Sequence, residues 1–458
     1  MKAFISSLFL FVALSLAAFA GGFDTPFHLI DSVDVGSCAS EVFTVSKYDG
    51  YVYAICLGYD QNSNGTEDEG DVRPSLWKIN YGSDIHSSGA VVKLAEFAFN
   101  SLILPVRYDK RSVSGNSFLL LPFINNIVCE INLATGEIVR NYHVDGLAVD
   151  AKYDGDHFWV CVQDEQDSPG KILKYNLATG SKVATLVGGV NLQESIVLPG
   201  GVLGSLSVGV AGTDDSELWL RRVSESAAVS DSISIHLGVN GSSLYNDESN
   251  RLYATVYGSH KVLDIDLFNP FGQLEIDTLL TGTTGLEGPR QTFALPLAAF
   301  TTTYAGRLNI YEGGSKTPTN VVNIPGKLEG ICGVGSNLLS MSGHLDLLFV
   351  ASPFTNDFGP NSKIYLVEGG NTSVYEPLAS ANFRLYPVPA TEAINVEFTN
   401  GITNANVEIR DLFGRSVKTL NGDGPRLTIN VYDLVPGSYF AIISAEGRMW
   451  SAPFTVAR

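Results

Sequence analysis

Apolar and polar residues alternate over short runs along most of the chain, and Gly, Asn and Asp separate the runs. "EVFTVSKYDGYVYAICLG" from Glu41 reads as strand, Tyr-Asp-Gly turn and strand, and "SLWKIN" and "VVKLAEF" supply two strands more. Alternation with a period of two buries one face of each run, while the Asx-Gly pairs supply the tight turns of hairpins. The same opening recurs in "GLAVDAKYDGDHFWVCV" from Gly146 and in "SSLYNDESNRLYATVYGSHKVLDIDL" from Ser242. The second half of the unit repeats as well. "INLATGEIVRNYHVDG" begins at Ile131 and "YNLATGSKVATLVGGV" at Tyr175, 44 residues later, with further copies near Leu263 and Arg307. Self-similarity at this period in an all-strand text predicts a β-propeller in which each unit is one four-stranded blade. The units from Phe27 to Ser380 number seven, with six or eight as alternatives, and the second, fourth and sixth are the faintest.

Both ends of the chain break this pattern. "MKAFISSLFLFVALSLAAFAGGFD" carries one Lys, an apolar run and Ala18-Phe19-Ala20 ahead of Gly21, which is the layout of a secretory signal peptide over residues 1–20. The run is shorter than the roughly 20 residues a membrane span needs, and no later stretch is long and apolar enough for one. From Phe383 the chain becomes a compact set of strands, "INVEF", "NVEIRDLFGRSV", "LTINVYDLVPGSYFAIIS" and "SAPFTVAR", the pattern of a small β-sandwich.

Charge separates these regions further. The formal charge is -19, yet residues 383–458 hold seven acids and seven bases, so residues 21–382 carry a net -20. An acidic surface of this size argues against nucleic acid and anionic membranes as partners, which need a basic footprint, and it favours solubility outside the cell. The five cysteines, at 38, 56, 129, 161 and 332, sit mostly in apolar strands and form no CxxC. Buried thiols acting as small hydrophobes are the default reading, and Cys38 with Cys56 is the best candidate for a bridge.

Few residues point to chemistry. The loop "DQNSNGTEDEGD" (60–71) alternates Asp60, Asn62 and Asn64 ahead of Gly65. With the Thr66 carbonyl and Asp68 it offers five oxygens to a calcium ion, with Asp71 optional. Strands flank it and position twelve is Asp rather than Glu, so it is a strand-to-strand loop and not a helix-loop-helix hand. Its competing reading is a solvated acidic turn, and calcium is the only cofactor the sequence suggests. Further acidic loops at 163–170, 212–217 and 352–362 fall at the equivalent place in other units, which gathers them on one rim. The seven histidines show no metal-ligand spacing, and no G-x-S-x-G elbow or phosphate cradle is present. Trp77, Trp159 and Trp219 read as packing between blades.

"RLYATVYGSHKVLDIDL" resembles the Tyr-Val-Thr-Asn repeat of bacterial surface propellers, and "DGLAVDAKYDGDHFWVCV" is similar to the NHL class of repeat. The tail resembles the C-terminal sorting domain, type A, of type IX secretion substrates. The matching residues are Leu385, Tyr386, Pro387, Pro389 and Ala390, then Asp411 with Gly414, then Leu434, Gly437 and Tyr439; Val388 stands where that family has Asn. The resemblance implies an address read by outer-membrane secretion machinery. Binding of a surface ligand or protein, or surface display, is the expected work. The competing expectation is a lyase or hydrolase built on the central channel, which requires His, Arg and acidic side chains to converge there.

Overall fold

The repeated Asn-Leu-Ala-Thr-Gly segments show how local chemistry makes the hairpins. Asn132 Oδ1 accepts the amide of Ala134 at 2.8 Å, and Asn176 Oδ1 accepts those of Ala178 and Thr179 at 3.0 and 2.9 Å. Gly136 and Gly180 follow at φ 77° and 71°, a region that favours glycine, and each amide returns to the Asn carbonyl. Both turns therefore join the third and fourth strands of a sheet, Ile127–Asn132 to Ile138–His143 and Pro169–Asn176 to Lys182–Val190.

The computed structural model describes residues 26–369 and 383–457, apart from short internal stretches of which 335–346 is the longest. Residues 1–20, His344, and Pro387, Pro389, Asp411 and Gly414 of the expected sorting motif lie outside the described residues. The chain divides into two compact units, one of residues 26–333 with 347–368 and one in which the tail strands fold. No helix among the described residues is long and apolar enough to cross a membrane.

Seven four-stranded antiparallel sheets make up the first unit among the described residues. Six of them are four consecutive strands. The seventh takes three strands from the end of the unit, Ile331–Val334, Leu347–Phe354 and Pro360–Glu368, and its fourth, His28–Asp34, from the beginning. The two ends are thus zipped by the ladder from His28↔Glu368 to Asp34↔Lys363, which closes the ring. The sheets are propeller blades, each with its first strand innermost and its fourth outermost.

Burial follows that order. Ala39–Phe43, the first strand of sheet one, is buried at every position, whereas Ile138–His143, the fourth strand of sheet two, is exposed at all positions but Tyr142. The core consists of apolar layers between neighbouring sheets. Phe43, Ile55 and Leu76 pack with Leu119 and Ile131 of sheet two, and Val128 and Tyr142 pack with Phe158 and Val160 of sheet three. Leu206 and Leu218 of sheet four meet Leu252 and Ala254 of sheet five. Trp159 lies in such a layer with Leu192 and Leu203 of sheet four. Trp77 and Trp219 are only half-buried and occupy third rather than second strands, their indole N–H groups donating to Ser75 Oγ and Glu217 Oε2. All five cysteines are buried and free, and burial pushes the thiol of Cys38 up to about 11 and that of Cys129 to about 12.

The tail is a β-sandwich, but its layers arise differently from the sequence pattern. Instead of separate short strands, one 18-residue strand, Ala393–Arg410, runs through the segment between the expected strands and pairs along its length with Ser416–Asn430. Register shifts between Glu397, Ile402 and Ala405 mark irregularities within this hairpin. Its first half pairs with Phe383–Tyr386 and its second with Gly437–Ala445. Ile394, Val396 and Phe398 from one half and Val407 and Ile409 from the other share one core with Ile443 and Phe454.

Candidate functional site

The first strands of the seven sheets surround the propeller axis, and five of them share a defect. The ladder to the second strand slips by one residue between Ala39 and Glu41, Ala148 and Asp150, Leu192 and Glu194, Gly241 and Ser243, and Pro289 and Thr292. A β-bulge adds twist and re-aims the side chains beside it. All five bulges are followed directly by a polar residue, Glu41, Asp150, Glu194, Ser243 or Thr292, each of them buried.

These residues build a polar girdle that passes from sheet to sheet. Asp150 Oδ2 accepts the amide and hydroxyl of Ser195 at 2.7 and 2.9 Å, tying sheet three to four. Glu194 Oε2 accepts the Leu244 amide at 3.0 Å, tying four to five. The Ser242 hydroxyl reaches the Arg290 carbonyl of sheet six at 3.3 Å. Arg290 donates to Glu329 through Nε at 2.9 Å and Nη2 at 2.6 Å, ahead of sheet seven. Gly330 N then donates to Ser40 O of sheet one at 2.9 Å, Lys110 of sheet two donates to the Thr44 carbonyl, and Lys152 of sheet three reaches the Tyr108 carbonyl at 2.9 Å.

Other contacts cross the axis. Gln291 Nε2 donates to both oxygens of Glu41 at 2.8 and 2.7 Å. Arg107 donates to the Ser242 carbonyl, and its Nε lies 3.3 Å from Glu194 Oε2. Around the ring, Lys152 Nζ lies 3.0 Å from Asp150 of its own strand and 3.7 Å from Glu194 of the next sheet. Burial pushes the Glu41 carboxyl up to about 8, with Arg107 opposing and Glu329 adding to the rise. Burial alone lowers Lys152, but Asp150, Glu194 and Asp109 outweigh it and hold the ammonium above the ordinary lysine value.

Beside the girdle lies a cavity of about 280 Å³. Its lining runs from Arg107, Glu194 and Gln291 to Val45 and Asn246, which lie just beyond or at the ends of first strands, and includes Lys110, with Phe43, Tyr108, Tyr245 and Phe293 as aromatic walls. It therefore faces the rim of the first-to-second-strand hairpins. The acidic second-to-third-strand loops lie on the opposite rim, so the place where the sequence concentrates acid is not where the cavity lies. Among the described residues no histidine lines it.

On that opposite rim the 60–71 loop is ordered by its own side chains. Asp68 Oδ2 accepts the Asn62 and Asn64 amides at 2.9 and 2.6 Å, and these bonds hold its carboxyl below the usual range. Asp60 Oδ2 accepts the Gly65 amide at 2.8 Å, and Asn64 Oδ1 accepts the amide and hydroxyl of Thr66, each at 2.7 Å. Asp71 accepts the amides of Gln61 and Asp68 at 2.8 and 2.7 Å. Asp60 Oδ1 is buried without a hydrogen-bond partner. Among the described residues no three His, Cys, Asp or Glu side chains are grouped as a metal site.

The described residues of the sorting motif serve the tail's fold. Leu385 packs against the core, Tyr386 accepts the Asn395 amide at 3.3 Å, and fully buried Ala390 forms a parallel bridge with Val456. Leu434 and Tyr439 are core residues, Tyr439 stacks on Phe454 at 5.8 Å, and Gly437 opens the strand that carries Tyr439.

The girdle escaped sequence reading because each of its members looks like an isolated polar residue in an apolar strand. The signal was present in "SEVF", "VDAK", "QESI" and "GSSL", which place a polar residue at one register in four units.

Fold and tail together define a β-propeller carrying a secretion sorting domain. Residues 384–456 match the family described as "Secretion system C-terminal sorting domain", and the tail is a type IX sorting domain. No curated protein matches the chain. Among solved structures, the WD40 propeller domain of Doa1 is similar at 11% identity and a TM-score of 0.51, covering 75% of this chain and 97% of that one. The propeller domain of Myceliophteria thermophila Cps50 (Swd1) is similar at 12% identity and 0.51, covering 75% and 99%. PorZ, a surface component of the type IX secretion system of Porphyromonas gingivalis, is similar at 12% identity and a TM-score of 0.47 over 92% of this chain, which spans 59% of PorZ.

Proposed function

We propose that the chain is an exported surface or secreted protein whose propeller binds a ligand or a protein at its central channel. Residues 1–20 take it across the inner membrane and residues 383–458 engage the type IX machinery. The match of residues 384–456 to a sorting domain carries the export reading. The binding reading is supported by one cavity shared by first strands from several sheets, where charged and aromatic side chains meet. Deleting residues 383–458 is expected to leave a folded propeller in the periplasm, as scored by surface proteolysis and fractionation. Surface delivery of the truncated chain at the full-length level would refute the assignment.

We also propose that calcium binds the 60–71 loop through Asp60, Asn62, Asn64, the Thr66 carbonyl and Asp68. Support comes from the unpartnered Asp60 Oδ1 and from the two Asn side chains gathered on Asp68. Turning the Asn62 amide over would present an oxygen where it now presents NH2, at the cost of the bond its Oδ1 accepts from the Asn64 amide at 3.0 Å. At calcium a hundredfold above Kd, about 2.7 kcal/mol of stabilisation follows from linkage. Calcium should raise the melting temperature, and Asp60→Ala should abolish the rise; identical melting in calcium and in chelator sinks the claim.

A further inference from the structure

We infer that the channel cavity takes a small carboxylate whose body is a flat ring, a proposal that rests on the binding reading above and gives it a ligand class. The lining carries Arg107, Lys110 and Lys152 against a single carboxylate, Glu194, inside a protein whose residues 21–382 are otherwise strongly acidic. Asp150 lies behind Lys152 at 3.0 Å, and Glu194 is shared between Lys152 and Arg107, so these groups consume the Lys152 charge.

Arg107 is different. Its side chain is only 4% exposed, and its hydrogen bonding among the described residues is confined to the Ser242 carbonyl. Nε has the ion pair with Glu194 but no hydrogen bond. A guanidinium has five N–H donors in a planar fork that fits a carboxylate edge-on. A buried donor without a hydrogen bond is penalised, and an anion seated on Arg107 would supply one.

The cavity walls suit a ring. Phe43 and Tyr108 stand 4.7 Å apart on one side, and Tyr245 and Phe293 5.7 Å apart on the other. Lys110 Nζ lies 5.8 Å from the centre of the Phe43 ring, so basic and aromatic parts of the lining adjoin. At about 280 Å³ the space holds one ring with its acid group rather than a polymer segment. The acidic surroundings do not forbid an anion, because exposed charges more than about 8 Å away are largely screened at physiological salt.

Isothermal titration of the mature full-length chain with benzoate, benzamide and inorganic phosphate tests this. Benzoate should bind, more weakly as salt rises, with benzamide and phosphate each at least tenfold weaker. Arg107→Gln should weaken benzoate at least tenfold, and Lys110→Gln about threefold. Because a variant at a buried arginine can fail to fold, circular dichroism accompanies each titration, and Lys110→Gln decides if Arg107→Gln is unfolded. Benzamide binding as tightly as benzoate, unchanged benzoate affinity in the folded variants, or no benzoate binding overturns the proposal. Phosphate binding as tightly as benzoate overturns the ring and leaves a simple anion. None of these outcomes bears on surface delivery, so a chain that reaches the surface without binding benzoate loses the ligand class and keeps the export reading.

Discussion

Glu329→Ala is expected to destabilise the propeller by about 3–5 kcal/mol, the usual cost of leaving a buried charge without its partner. Arg290 and Glu329 are 13% and 1% exposed, and one Glu329 oxygen accepts both Arg290 donors and the Tyr304 hydroxyl at 2.7 Å. Arg290 is further held over the rings of Tyr304 and Tyr257 at 4.5 and 5.4 Å. Removing the carboxylate strands a guanidinium that remains charged and is only 13% exposed. The exposed pair Lys316–Asp277 provides the contrast, since its side chains are 63% and 53% exposed. Asp277→Ala should cost no more than about 1 kcal/mol, because solvent already screens that interaction. Urea unfolding followed by tryptophan fluorescence reads the difference, as three of the four tryptophans lie in the propeller. Equal losses in the two variants would show that the girdle contributes no more than a surface pair.

Glu41→Gln should do the opposite and stabilise the chain, but only at neutral and alkaline pH. Burial raises the Glu41 carboxyl from 4.5 to about 8 in the folded state. Between these values the folded chain binds a proton that the unfolded chain has released, so stability falls as pH rises through this window. At 1.36 kcal/mol for each pKa unit, the loss reaches about 3–5 kcal/mol by pH 8. Glutamine keeps the shape and can still accept from Gln291, and it has no proton to lose. The variant should match the parent at pH 4, gain less than about 1 kcal/mol at pH 5, and reach its full advantage above pH 8. A difference independent of pH would mean that Glu41 ionises in the folded chain as freely as in water.

How much of this was legible in the sequence depended on whether the signal was local. The Asn132 and Asn176 turns, the alternation in "YVYAIC" and the 44-residue spacing are short-range, and they sufficed for the blades. Both copies of the turn use the same Asn and Gly chemistry in the fold. The tail was legible by its boxes, yet its long bent strand was not. "TNGITN" has the composition of a turn, and it continues as strand where Ser416–Asn430 pairs across it through Ile402↔Gly424.

The channel girdle and its cavity were the least legible part. Glu41 and Gln291 are 250 residues apart in the chain, and Arg107 meets the Ser242 carbonyl across 135. No local pattern links them. The acidic loops drew attention to one rim because composition is visible residue by residue, while the cavity lies toward the other.

By itself the sequence determined the strands, their turns, the repeat and the sorting tail, because each follows from backbone preference and side-chain alternation within a few residues. Only the tertiary structure decided that His28–Asp34 completes the last sheet, that the bulged first strands turn Glu41, Asp150 and Glu194 inward, and that Arg107 lines a cavity with its Nε–H left without a hydrogen bond. Those outcomes depend on closing a ring. Closure brings distant residues together and removes their water, and in that setting isolated polar residues in apolar strands become a network.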